Sequence, residues 1–450
     1  SPSKAAQFQD VDLASARAAA EALQEVAVAH VIYVSVAHPA PVMQAYIAVR
    51  REGERLLKQT RVPVTVLRPW YVLGPGHWWP IVLIPIYKLF EMIPSARDTA
   101  QRLGLVTHRQ MVAALKARGK AFRPHGKTHK CPDVAKALLA AGAVGSCVAR
   151  LSEAEVFAAA GVPGLLVTTA VIGKDKIARA VALADRAPDT MFVVDDAQNV
   201  RDINDAAGAR GMRHPINLMV DLFFGRTGIE PGAPAVALAQ LLTSLPHVRF
   251  AGLQSYDGQA AHTAPFDARG SRTNGTMGRA AETKALLDQA GIPCTLVTGG
   301  STGTYRFDSE NPALTELQPG SFIFMDMEYG LIGGPDGPEY RDFNNALTVI
   351  TTVVSRPKGM AIVDGGYKAF STDRPFTPRA VGIDGIIYEW AGDEHGRLFI
   401  NGLHDLKVGD RVEFIPPHID PTINLYDQIY ALRGDRVEAV WPIAARGKSQ

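Results

Sequence analysis

Between Ala121 and Asp326 short runs rich in Val, Ile and Leu alternate with longer stretches whose apolar positions recur every three or four residues. The runs at Ala121–Arg123, Val144–Ala149, Gly164–Val171, Met191–Asp195, Ile216–Asp221, Arg249–Tyr256 and Cys294–Thr298 read as strands. Helices are expected near Pro132–Ala141, from a capping-box spacing at Ser152 to Glu155, over Lys174–Ala184, Ala197–Ala207 and Ala233–Leu245, and over Met277–Ala290. Leu314–Asp326 completes the series. Apolar strands separated by helices belong to a parallel sheet covered on both faces. Roughly seven or eight such units predict closure into a (β/α)8 barrel rather than an open sheet.

Beyond Asn345 the period shortens. Leu347–Ser355, Gly359–Val363, Gly385–Trp390, Arg397–Ile400, Arg411–Ile415, Gln428–Arg433 and Arg436–Trp441 are strand-length segments broken by Gly and Asp, which predicts a C-terminal all-β domain. The beginning of the chain differs from both. Asp12–Leu23 is an alanine-rich helix, His30–Val36 a buried strand, Gln44–Thr60 a charged helix and Val64–Leu67 a second strand. The expected fold class is therefore α/β: a truncated Rossmann-like segment over 1–112, a barrel over 113–344 whose first-strand region is incomplete, and a β-domain over 345–450.

Composition narrows the function classes. With 47% hydrophobic and 20% charged residues the chain reads as soluble and globular. A net charge of +2 and the lack of a basic tract interleaved with aromatics give no reason to expect nucleic acid. The apolar run Trp78–Pro94 is broken by Pro80, Pro85, Lys88 and Glu91, so a buried or interface helix is expected there rather than a membrane span. Three cysteines without Cys-x-x-Cys spacing form no disulfide framework, which fits a reducing, cytoplasmic compartment. Ser1-Pro2-Ser3-Lys4 carries neither an initiating Met nor a signal peptide and reads as a trimmed start.

A barrel's functional residues sit at the C-terminal ends of its strands. Lys127, between His125 and His129, follows the first strand; a desolvated lysine there can attack a carbonyl, whereas the plain alternative is a basic, solvated turn. Arg226 follows the fifth strand, and Gln254, Tyr256 and His262 follow the sixth. After the seventh comes Thr298-Gly299-Gly300-Ser301-Thr302-Gly303-Thr304-Tyr305, a loop of the kind whose backbone N–H groups cradle phosphate. Lysine, arginine and phosphate cradle together suggest a pyridoxal phosphate site.

Several motifs carry a resemblance: Arg123-Pro-His-Gly-Lys-Thr-His-Lys130, Gly299-Gly-Ser-Thr-Gly303, Gln318-Pro-Gly-Ser321 to Asp326, Val363-Asp-Gly-Gly-Tyr-Lys368, and Val437 to Pro442 with Arg446-Gly-Lys448. From about residue 113 to 448 the chain resembles the D-threonine aldolase and D-serine dehydratase family of fold-type III, alanine-racemase-like pyridoxal phosphate enzymes. That resemblance implies Lys127 as the lysine that binds the cofactor covalently, Arg226 at its phenolic oxygen, and Gly299 to Gly303 at its phosphate. Tyr256 and His262 would line the substrate side, with His262 near the β-hydroxyl. His418-Ile419-Asp420 would be the family's metal pair, two side chains at i and i+2 of an extended segment facing one ion. Imidazole plus carboxylate suits Mn2+ or Mg2+, with Zn2+ the alternative favoured where a Cys replaces the Asp. The implied activity is cleavage of a small D-3-hydroxy amino acid to glycine and an aldehyde, in a homodimer. Alternatives are a D-serine or D-threo-3-hydroxyaspartate dehydratase, a 3-hydroxy-D-aspartate aldolase, a pyridoxal-phosphate-binding protein without activity, or a catalytically impaired fusion.

The start of the chain carries a second resemblance. Ser35, Tyr46 to Arg50 and the Leu67-Arg-Pro-Trp70 turn are similar to the later half of an extended short-chain dehydrogenase-like, NAD(P)-binding domain. Arg50 stands where that family has a lysine, and no glycine-rich loop precedes these residues to hold a pyrophosphate, so no dinucleotide binding is expected.

Overall fold

The computed structural model describes residues 12–25, 31–34, 44–60, 62, 64–67, 108–400, 404–433 and 436–450. They fall in two compact units, Ser1–Leu105 and Val106–Gln450. In the first unit β1 (Val31–Val34) and β2 (Val64–Leu67) pair in parallel, Val31 opposite Val64 and Val34 opposite Leu67. Parallel neighbours need a crossover, supplied here by the helix Gln44–Lys58. It buries Ile47, Val49 and Leu57, while the helix Ala14–Glu25 buries Ala16 and Ala20. Arg50 lies 3.5 Å from Asp12. Ser35, the Tyr46 side chain, the Arg68–Gly76 turn, the Trp78–Pro94 run and Ser1–Lys4 lie outside the described residues.

The second unit opens with the helix His108–Ala117 and continues into eight parallel strands. These are β3 (Ala121–Phe122), β4 (Ser146–Val148), β5 (Leu165–Val167), β6 (Met191–Val194), β7 (Ile216–Asp221), β8 (Val248–Ser255), β9 (Val297–Gly299) and β10 (Glu316–Leu317). Their order is β3-β10-β9-β8-β7-β6-β5-β4. The two end strands meet: Val144 N donates to Phe122 O and Cys147 N to Pro124 O, each at 2.9 Å, beside a parallel bridge between His125 and Cys147. The sheet thus curls back on itself as the alternating pattern predicts. Eight strands are present, so the first-strand region is not short of a strand.

Three local readings change. Leu314–Asp326 is no single element: it contains β10, a 3-10 turn at Ser321–Ile323 and the cap of a short helix. The eighth strand is concealed by its brevity and by Glu316, a buried carboxylate that meets Arg123 through two contacts of 2.9 Å. The helix expected from Met277 begins at Phe266. Its first turns bury polar side chains, above all Arg269, whose guanidinium donates to the carbonyls of Thr263, Gly303, Ile332 and Gly333, so the apolar period is hidden. The helix after β4 spans Leu151–Ala159 and is capped by Glu153, which accepts from the Ala149 and Arg150 backbones at 2.8 and 3.1 Å. Ser152 instead donates its hydroxyl to Gln450 O at 2.7 Å.

The β-domain is antiparallel: β11 (Val349–Ser355), β12 (Met360–Val363), β13 (Arg379–Ala380), β14 (Ile387–Trp390), β15 (Gly396–Phe399) and β16 (Arg411–Ile415) form one sheet. A hairpin of β17 (Gln428–Arg433) and β18 (Arg436–Pro442) follows. Val353, Val363, Phe370, Leu398 and Phe414 fill its core. What matters for the site is its attachment. Met327 N donates to Pro416 O at 3.1 Å, Glu328 N to Pro417 O at 3.2 Å, and Ile419 N to the Asp326 carboxylate at 2.8 Å. These bonds hold residues 416–420 against the segment that leaves the barrel.

Candidate active site

Lys127 sits in a single 3-10 turn, Gly126–Thr128, just past β3. Pro124 cannot donate a backbone bond, and His125 Nδ1 accepts from Lys127 N at 3.3 Å, which together stop the strand and start the turn. Gly126 is required there, since a Cβ would come within 2.8 Å of the Phe157 ring. The Lys127 side chain reaches the β-domain, with Nζ 3.3 Å from Asp420 Oδ2. Asp420 is the main reason the Lys127 ammonium is held above its usual pKa, although burial opposes it. Burial alone would raise the Asp420 carboxyl, but Lys127 and His418 outweigh that and leave it below its ordinary value.

Burial disfavours the charged form of both flanking histidines. Burial depresses His125 well below the usual imidazole range, and its Nε2 meets the Thr168 hydroxyl at 3.2 Å. His129 is pushed by burial to about 4; it packs on Phe157, and Nδ1 accepts from Cys131 N at 3.1 Å. His129 is therefore a core residue.

Beyond β9 the glycines are set by close approach. A Cβ at Gly299 would fall 1.8 Å from Ser255 O, and one at Gly303 2.1 Å from Ala261 O. Gly300 has φ +74°, a conformation that favours glycine. Ser301 N and Oγ both meet Thr304 Oγ1, at 2.9 and 2.8 Å, and Thr304 in turn donates to the buried Asp308 at 2.5 Å. Thr302 Oγ1 accepts from Phe322 N at 3.0 Å.

The other candidates divide. Arg226 lies over the Tyr256 ring at 5.2 Å. Gln254 is buried and donates to Asp221 at 3.1 Å, while its Oε1 has no partner; burial raises Asp221 to about 6. Thr298 is bound into the barrel interior, donating to Glu316 at 2.8 Å and accepting from Gln318 at 2.9 Å. The Tyr305 phenol donates to Asp342 at 2.9 Å and its ring packs on Phe343. Lys368 is an exposed residue paired with Glu394 at 2.5 Å.

His418 and Asp420 do not lie on an extended segment. His418 is the N-cap of the short helix Ile419–Ile423, and Asp420 stands in its first turn. His418 Nδ1 is 2.7 Å from Asp373. Its Nε2 faces Glu328 Oε2 at 3.9 Å, and Glu328 Oε1 lies 3.3 Å from His262 Nδ1 and 2.7 Å from Arg374. Glu328, Arg374 and Asp373 were not anticipated. The only signal in the sequence was the acidic pair Asp326 and Glu328 closing the Gln318 motif, and periodicity says nothing about which of two acids turns inward. Asp326 is the helix N-cap, accepting from Tyr329 N at 2.9 Å, and burial lifts its carboxyl to about 6.

Comparison with known proteins gives two consecutive family matches: alanine racemase, N-terminal domain, over residues 103–328, and a serine dehydratase domain over residues 346–432. The 3-hydroxy-D-aspartate aldolase of Paracoccus denitrificans (strain Pd 1222) is 36% identical over 76% of this chain and 88% of that protein. The D-threonine aldolase of an Arthrobacter sp is 38% identical over 73% of this chain and 86% of its own length. The chain belongs to the alanine-racemase-like D-threonine aldolase family. The crystal structure of D-threonine aldolase from Filomicrobium marinum superposes with a TM-score of 0.72 at 37% identity, covering 76% of this chain and 93% of that one. Such aldolases are pyridoxal-phosphate-dependent lyases.

In this D-threonine aldolase-family chain the fold implies pyridoxal phosphate. Gly299, Gly300 and Gly303 let the loop after β9 pack directly against Ser255 O, Asp308 and Ala261 O, and Lys127 follows β3 at the same barrel end. For a metal, the buried Asp420 Oδ1, Glu328 Oε2 and His262 Nδ1 have no hydrogen-bond partner. Among the described residues no three His, Cys, Asp or Glu side chains converge on one point. Imidazole and carboxylate donors of this kind suit a divalent ion. No helix of the described residues is long and apolar enough to cross a membrane.

Proposed function

We propose that this chain cleaves a D-3-hydroxy amino acid of the D-threonine type to glycine and an aldehyde, using pyridoxal phosphate and a divalent metal. The observation that carries the reading is the contact of 3.3 Å between Lys127 and Asp420. It brings the cofactor-binding lysine to the His418–Asp420 turn, with His262 reaching the same cluster through Glu328. When bound, the cofactor supplies an electron sink for the bond at Cα and the metal a Lewis acid for the β-hydroxyl.

Each residue then has a task. Lys127 would hold the cofactor covalently through its Nζ. The backbone of Gly299, Gly300, Ser301, Thr302 and Gly303 would hold the phosphate, and Arg226, which lies over the Tyr256 ring, would hydrogen-bond the cofactor's phenolic oxygen. Gln254, whose Oε1 has no partner, lies near the end of β8, and His125 precedes Lys127 in the turn after β3; both would contact the cofactor. His418 Nε2 and Asp420 hold the metal, for which an imidazole and a carboxylate suit Mn2+ or Mg2+. His262 accepts the proton of the β-hydroxyl, the Cα–Cβ bond breaks with its electron pair remaining at Cα, and the aldehyde leaves. A proton delivered to Cα gives glycine. Cys131, Cys147 and Cys294 are buried free thiols, which supports a reducing, cytoplasmic setting.

Incubation of the loaded enzyme with D-threonine tests the reading. Acetaldehyde and glycine in equal amounts are expected. Formation of 2-oxobutanoate would replace the aldolase with a dehydratase on the same scaffold, and no product at all would replace it with a binding protein. Comparison of kcat/KM for D-threonine and 3-hydroxy-D-aspartate then chooses between acetaldehyde and glyoxylate as the aldehyde.

A further inference from the structure

Arg269 is fully buried, and it donates four hydrogen bonds, each to a backbone carbonyl. Nε donates to Gly303 O at 2.9 Å, Nη1 to Thr263 O at 2.8 Å and to Ile332 O at 2.7 Å, and Nη2 to Gly333 O at 2.6 Å. A guanidinium presents five N–H groups in a planar fork, so one side chain can join three segments that the chain order keeps apart. Two of those segments frame His262. Thr263 is the next residue, and Ile332 and Gly333 follow the short helix Met327–Gly330, whose Tyr329 ring packs on the imidazole with centroids 4.9 Å apart. The third is the loop after β9, where a Cβ on Gly303 would lie 2.1 Å from Ala261 O.

The same helix holds the other end of the turn that carries His262. Asp257 accepts from Gln259 N at 2.9 Å and Ala260 N at 3.0 Å, and it also accepts from Arg272 Nε at 2.8 Å and the Thr276 hydroxyl at 3.1 Å. Residues 269, 272 and 276 stand at i, i+3 and i+7 of the helix Phe266–Gln289 and therefore share one face. The polar side chains of its first turns thus grip a turn instead of filling a core. We propose that Arg269 and Arg272 are positioning residues for His262: by gripping both ends of its turn, and tying that turn to the loop after β9 and to the chain beyond Tyr329, they hold the imidazole where it meets the substrate's hydroxyl. This rests on the reading of His262 as the base. A displacement of about 1 Å at a reacting group costs roughly 100-fold in rate, so ties of this kind act on kcat.

Two readouts on the full chain test this. Hydrogen exchange without cofactor reports the tie itself. In Arg269→Lys the donors sit on a single ammonium that cannot span the four carbonyls. Amides over 259–265, 300–304 and 330–334 are expected to lose protection together, while β5, β6 and β7 keep theirs. Turnover of D-threonine by the chain loaded with pyridoxal phosphate and Mn2+ reports the consequence. In Arg269→Lys kcat is expected to fall about 100-fold with KM unchanged. Made in the His262→Ala background, the same change lowers kcat no further, because a residue that acts through another adds nothing once that one is gone. Arg272 is 39% exposed, so Arg272→Gln folds and shows a smaller loss with the same non-additivity, which carries the test where Arg269→Lys fails to fold.

Three outcomes overturn the proposal: losses that add in the double variants, a kcat equal to the parent's, or protection lost evenly across the barrel. Failure of the underlying reading looks different. In that case His262→Ala keeps the parent's kcat, while the local loss of protection in Arg269→Lys remains.

Discussion

The Lys127 ammonium and the Asp420 carboxylate stand 3.3 Å apart, one from the turn after the first barrel strand and the other from the β-domain. Each supports the charged form of the other, so the lysine that must become a neutral nucleophile is held cationic by the residue proposed to hold the metal. A cation bound at Asp420 competes with Lys127 for the same carboxylate.

Asp420→Asn removes the main cause of the raised Lys127 pKa. More neutral amine is then present at a given pH, and the rate of cofactor capture, followed by absorbance, shifts its pH dependence to lower pH. Mn2+ affinity falls by more than the about 10–100-fold typical of outer-shell losses, because a direct ligand is removed. Chelation should stop activity in the parent, and added Mn2+ should restore it. Titration of the metal against parent and variant checks this.

Lys127→Ala abolishes the visible absorbance of the bound cofactor together with turnover. An unchanged spectrum would remove Lys127 from its proposed role.

His262→Ala lowers kcat by about 10²–10⁴-fold, the range for a positioned general base. Cofactor absorbance and metal Kd stay as in the parent. Single-turnover measurement of aldehyde release separates this from slowed product dissociation.

Asp308 lies beneath the Gly299–Gly303 loop, and burial raises its carboxyl to about 7. Across the window from the ordinary carboxylate pKa up to about 7, the folded chain keeps a proton that the unfolded chain has released, so this group's contribution to stability falls as pH rises. Asp308→Asn removes that dependence. The Tm of the variant relative to the parent should therefore increase between about pH 4.5 and about pH 7.5, measured by thermal unfolding across that window.

Arg123 and Glu316 close the barrel between its first and last strands as a bidentate pair, 8% and 2% exposed. Glu316→Ala leaves a buried guanidinium unpaired and should cost about 3–5 kcal/mol in denaturant unfolding. Replacing both residues with apolar ones of similar volume should recover much of that loss.

The sequence by itself determined the alternation of strand and helix, the change to an antiparallel domain after the barrel, and the placement of Lys127, Arg226, His262 and the glycine loop at strand ends. Those features follow from backbone periodicity and from glycine and proline, whose effects are local. The tertiary structure decided which side chains meet. It turned Tyr305 toward Asp342, drew Thr298 into the barrel interior and put His129 in the core. It also wound Asp420 into a helical turn and aimed Glu328 at His262. The eighth strand stayed hidden for a related reason: its buried Glu316 becomes tolerable only once Arg123 arrives from the first strand. A polar residue reveals its partner only after folding brings remote segments together, because hydrogen bonding and burial are properties of the contact and not of the residue alone.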